Sequence, residues 1–153
     1  MWTGTHLIVS GPRQGTHAFT LGQVAGKWQA TEVWKNADVA MYMSSPVFGD
    51  GLIYGHSEKR KGQFVALDEK TGVVRWMTEG REGEHASVML TPANLVYLTN
   101  NADLIIARRA TAKFEVDKKY DVGESATWAA PVLLGTDLLI RDATGLSRLS
   151  AGK

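Results

Sequence analysis

Four histidines, His6, His17, His56 and His85, are the side chains of this chain best suited to proton transfer or metal ligation near neutral pH. No two of them stand at a familiar metal-ligand spacing. The 153 residues include no cysteine, which removes thiolate nucleophiles, disulfides and cysteine-based zinc sites together. No carboxylate and amide run has the D-x-[DN]-x-[DN]-G spacing of a calcium loop, so no metal site is expected. "GPRQG", Gly11 to Gly15, has the glycines of a phosphate loop without the G-K-[ST] ending or a following helix. No nucleophile elbow or kinase signature occurs. Arg141 and Asp142 adjoin at the end of an apolar run, where an ion pair or turn cap is the expected role. The basic clusters "HSEKRKG", His56 to Gly62, and "ARR", Ala107 to Arg109, are expected to be solvated charge that blunts sheet edges. The histidines are expected at strand ends or in loops.

Seventeen basic and sixteen acidic residues give a net charge of +1, too little to draw a nucleic-acid backbone or an anionic membrane. No apolar run approaches the ~20 residues that span a bilayer, and "MWTGTHLIVSG" is not a charged leader followed by an apolar signal core. The expectation is a soluble chain without membrane insertion, of unknown address.

The elements that would position any site are short strands. Five Trp, sixteen Gly and many Val/Ile/Leu/Tyr runs favour strands and turns, hence an all-β fold. The runs repeat. "SSPVFGDGLIYG" (Ser44 to Gly55), "SVMLTPANLVYLT" (Ser87 to Thr99) and "AAPVLLGTDLLIRD" (Ala129 to Asp142) are each strand, tight turn, strand. Tyr54 aligns with Tyr97 at a spacing of 43, and Trp34 lies 42 before Trp76. Four short strands per period of this length are the signature of a propeller blade. Units of about 1–40, 41–83, 84–126 and 127–153 follow, one domain of about three and a half four-stranded blades. The first lacks its innermost strand and the last its outermost.

In "GQFVALDEKTGVVRW", Gly62 to Trp76, Ala66 allows a close backbone approach, Asp68 bonds N–H groups across the turn it opens, Gly72 takes a positive φ, and Trp76 is the packing payload. This stretch resembles the tryptophan-docking repeat A-x-D-x-x-x-G-x-x-x-W of the pyrroloquinoline-quinone-like (PQQ-like) β-propellers, and Thr127 to Leu149 resembles the terminal blade of bacterial quinoprotein-like propellers. The other units depart from the motif: Arg108, Ala112 and Val116 stand where Asp68, Gly72 and Trp76 would align, and the unit ending at Trp34 lacks the Ala/Asp/Gly frame. The resemblance implies the C-terminal blades of a larger propeller, or a half ring that two copies, head to tail, complete to eight blades. It also implies a bacterial, periplasmic or secreted setting.

Innermost strands line a propeller's axis, and aligning their starts stacks Tyr42, His85 and Thr127 in one column and Met43, Ala86 and Trp128 in the next. Tyr42, His85 and Trp128 are therefore the candidate ligand-binding residues at the channel rim. No catalytic residue is assigned. The expected function is a non-catalytic scaffold that binds a protein or small ligand and pairs with itself or with missing blades, without a cofactor. The alternative is a fragment of a PQQ-dependent oxidoreductase using PQQ with Ca2+, whose site needs blades this chain does not supply.

Overall fold

A computed structural model describes residues 1–110 and 112–150, so the last sequence unit runs past the described residues. Among the described residues, fourteen strands form four antiparallel sheets of three, four, four and three strands. The first holds β1 (Leu7–Gly11), β2 (Gly15–Val24) and β3 (Lys27–Asn36); the second β4 (Val47–Gly49), β5 (Leu52–Ser57), β6 (Gln63–Asp68) and β7 (Val74–Met77). The third holds β8 (Ala86–Leu90), β9 (Asn94–Thr99), β10 (Asp103–Arg108) and β11 (Val116–Asp121); the fourth β12 (Val132–Leu134), β13 (Asp137–Arg141) and β14 (Leu146–Ser150). Within each sheet the strands pair in sequence order, so tight turns suffice as connections. Where the first sheet lacks an inner strand, the Met1 amine donates to Ile8 O, the Ile8 N–H donates to Met1 O, and Trp2 bridges Leu7.

Three apolar layers lie between consecutive sheets. Ile8, Ala18 and Trp34 meet Ile53, Val65 and Leu67; Leu52, Tyr54, Phe64, Ala66 and Trp76 meet Leu95, Tyr97, Ile105 and Ala107; Val96, Leu98 and Leu104 meet Ile140. The inner sheets are buried on both faces, which is why β5 and β9 read as continuous apolar runs rather than alternating ones.

Alternation also corrects the repeat register. Tyr54 and Tyr97 are not equivalent: they project towards each other from facing sheets into one layer. The ladders pair Ile8 with Ala18, Tyr54 with Ala66 and Val96 with Ile106, so Val96 is the counterpart of Tyr54. A one-residue offset moves a side chain to the opposite face. Across the outer hairpins Ala18 pairs with Trp34, Ala66 with Trp76 and Ile106 with Lys118, and all three carry a bulge at the next rung. Lys118, not Val116, thus occupies the docking-Trp position, and Ala18 supplies the alanine that the first unit was expected to lack. The hairpin connections differ in length, which residue counting cannot see.

The first outer hairpin is the longest. Beyond the bulge, Thr20 to Val24 pair with Lys27 to Thr31, closed by Ala25 and Gly26, both in the left-handed region (φ 51° and 78°) that a two-residue hairpin turn needs. Every residue from 20 to 33 is exposed. This two-stranded arm stands clear of β1, whose ladder with β2 ends at Phe19.

Candidate functional site

Docking hairpins fix how the sheets stand beside one another. Ala66 and Trp76 are cross-strand partners and both buried. The Trp76 indole N–H donates to Ala110 O of the third sheet (2.9 Å) and the ring packs against Phe114 (5.3 Å) and Tyr54 (6.1 Å). Asp68 Oδ1 accepts from the backbone N–H groups of Lys70 and Thr71 and from Thr71 Oγ1, while Arg75 donates to Oδ2 at 2.7 Å. Arg75, then Thr71, holds the Asp68 carboxyl below its usual range. Gly72 (φ 70°) has a second duty beyond its turn: a Cβ there would lie 2.4 Å from the Trp34 ring, whose indole donates to Glu69 O. One hairpin therefore gives its own Trp to the next sheet and seats the previous sheet's Trp on its turn.

These turns gather at one end of the sheets, where Glu69 N–H donates to Gly51 O. The loops at the opposite end surround a cavity of about 900 Å3 whose lining includes Tyr42, His85 and Trp128. Tyr42 and Trp128 are half exposed (49% and 48%), whereas His85 is 5% exposed and stacks on Trp128 with ring centroids 5.5 Å apart and planes 14° from parallel. Burial lowers the His85 pKa, so the imidazole is neutral at pH 7, and its Nδ1 has no hydrogen-bond partner among the described residues. Lys61 and Arg81 reach the same rim, with Glu58 and Glu84 beside them. Five non-glycine residues at this end, Met43, Arg60, Lys61, Arg81 and Ala102, have φ between 52° and 69°. Left-handed backbone at such residues costs on the order of 1 kcal/mol each and persists only where its surroundings enforce it.

The other histidines do not line this cavity. His6 Nδ1 is 2.7 Å from Glu69 Oε1, a buried contact that ties the N-terminal segment to the docking turn of the second sheet. His17 contacts Glu32 (2.7 Å) and stacks on Phe19. His56, next to last in β5, is fully buried; its Nε2 bonds Gly83 O at 3.1 Å, and burial lowers its pKa from 6.5 to about 4. His6 and Glu69 are 63 residues apart, so no local spacing could have signalled their pairing. The rim charges were missed for another reason: Lys61 lies in the "HSEKRKG" cluster, which composition alone marks as solvated.

The rim offers π-stacking, hydrogen bonding and charges of both signs, without a nucleophile held by a base. Among the described residues no three His, Asp or Glu side chains come together to hold a cation. The residues present therefore do not fit the carboxylate-rich Ca2+ site that a quinone cofactor would require.

No family model and no curated protein matches the chain. Solved structures do. BamB from Moraxella catarrhalis superposes with a TM-score of 0.65 at 19% identity over 97% of this chain and 43% of BamB, and the computationally designed Ika8 protein with a TM-score of 0.58 at 7% identity over 98% of this chain and 57% of Ika8. The chain thus spans less than two thirds of either. At these identities the likeness is one of fold: the four sheets are blades of a β-propeller. No helix among the described residues is long and apolar enough to cross a membrane.

Proposed function

We propose that the chain is a non-catalytic β-propeller module of the PQQ-like class that presents its channel mouth to a protein segment or small ligand. The observation that carries this reading is the cavity of about 900 Å3, edged by half-exposed Tyr42 and Trp128 over a buried His85 with a free Nδ1. Concave sites with a few convergent polar groups are where ligands bind, and aromatic edges anchor them. His85 leans on an indole rather than on an acid or a nucleophile, which suits recognition better than proton transfer. The PQQ-like assignment draws on the Gly62 to Trp76 hairpin and its reciprocal docking. A periplasmic or secreted address comes with that class alone.

The reading includes a partner for the outward faces of the first and fourth sheets, either the further blades of a larger propeller or a second copy of the chain. Val132, Leu134 and Leu139 of the fourth sheet stand where Val47, Gly49 and Tyr54 stand in the second, yet Val132 and Leu134 remain exposed. A second copy set head to tail would cover them and make an eight-bladed ring of two chains.

The test is a thermal-shift screen of peptides and aromatic small molecules on wild type and Trp128→Ala. A ligand that stabilises wild type, and whose binding weakens about ten-fold or more in the variant, is expected. Ligands indifferent to Trp128 would move the site elsewhere. Sustained dye reduction from organic substrates after adding PQQ and Ca2+ would overturn the non-catalytic reading.

A further inference from the structure

Two features are incomplete within one chain. The β2–β3 arm is a two-stranded hairpin, a unit that is marginal alone in water. Its alternation nonetheless puts Phe19, Leu21, Trp28 and Ala30 on one face, with Trp28 at 72% exposure the barest indole of the chain. At the other end of the array, no strand among the described residues pairs with the outer edge of β14. Beside it, between the third and fourth sheets, lies a groove of about 720 Å3 lined by Val96, Leu104, Ile106, Leu133 and Leu138. The groove has a physical origin: Lys118 stands where the other outer hairpins carry Trp, and the described residues give the fourth sheet three strands.

We propose that in the two-copy ring the arm of one copy lies across the open β14 edge of the other and seats Trp28 in this groove, reciprocally. The inference rests on the ring reading: the first sheet of one copy then follows the fourth sheet of the other, which sets the arm beside the β14 edge, and the groove opens on the far side of that edge. The chain itself shows what such a seam takes. At the other two seams the outer space is filled by an indole presented from a strand, Trp34 donating to Glu69 O and Trp76 to Ala110 O. The third seam has none, and Trp28 is presented from a strand with nothing to fill. Its own groove is out of reach, since the arm and the groove belong to opposite ends of the array. Addition of a strand to an exposed sheet edge is a general mode of association, and an uncovered edge otherwise invites unspecific pairing.

The experiment is light scattering over a concentration series on wild type, Trp28→Ala and Leu133→Glu, two changes at exposed side chains that leave the core untouched. Wild type is expected to dimerise, and each variant to raise the dimer Kd about ten-fold or more while its monomer, at concentrations below the Kd, melts as the wild-type monomer does. Because the chain has no cysteine, a preparation carrying Ala30→Cys mixed with one carrying Ser147→Cys reports the contact directly: a disulfide-linked heterodimer is expected under mild oxidation. A dimer indifferent to both variants and without that cross-link would overturn the arm contact and leave the ring standing. A wild type that stays monomeric at every concentration would overturn both.

Discussion

His56 concentrates the electrostatics of this core in one residue. It lies wholly inside the second sheet, edge-on to Phe64 at 5.8 Å, and burial lowers its pKa to about 4 despite the bond to Gly83 O, with nearby His85 lowering it further. The folded state therefore refuses a proton that the unfolded chain accepts below about pH 6.5. Stability attributable to His56 is fully present above that pH and is lost as pH falls towards 4, by up to ~1.4 kcal/mol per pH unit and roughly 3 kcal/mol in all. His85, lowered by burial as well, acts in the same direction. Asp68 acts in a lower window, since its depressed carboxyl loses its contribution only below the ordinary 3.8. Urea unfolding between pH 7.5 and 4.5 should thus show a falling stability whose slope is shallower in His56→Gln. Equal slopes in the two proteins would remove His56 from this role. Its position at a strand end was legible in "GHSEK", but its burial was not, because the ring that covers it is Phe64, its cross-strand partner on β6.

At the scale of elements, the hairpin is what the sequence shows most openly. A turn with Asp68 and Gly72, flanked by apolar runs and closed by Trp76, specifies its own geometry through local hydrogen bonds, so its form could be read from fifteen residues. Its reciprocity could not, because the ring seated on Gly72 belongs to Trp34, in a different hairpin. The same limit misplaced the third unit's docking position by two residues and hid the arm, which follows from five extra rungs of pairing in "TLGQVAGKWQAT" rather than from any repeat. Trp76→Ala tests the element's mechanical part. The indole is 6% exposed, bonded to Ala110 O and wedged against Phe114 and Tyr54, so its removal leaves a cavity between two sheets. A loss of ~3–5 kcal/mol is expected in denaturant unfolding. A loss below ~1 kcal/mol would mean that the sheets hold together without it.

On the scale of the whole molecule, stability should be graded along the array. The strand counts of the four sheets were legible because each run has its own turn signals, but how each sheet is covered depends on neighbours that periodicity does not reveal. The second and third sheets have partners on both faces: β5 is buried throughout, and β9 nearly so. Among the described residues the fourth has one partner, and β12 and most of β14 are exposed. In repeat arrays each unit is stabilised by its own fold plus its interfaces with neighbours, so end units open first. Native-state hydrogen exchange of the monomer at low concentration should find the slowest amides in β5, β6, β9 and β10. Amides of β13, β14 and the arm should exchange faster by about the ratio that one missing interface allows, on the order of 2–3 kcal/mol or some hundred-fold. Raising the concentration should slow β14 and the arm together if one covers the other, and leave β5 unchanged. Uniform protection across all four sheets would show instead a single cooperative unit, in which the open end faces cost the chain no local stability.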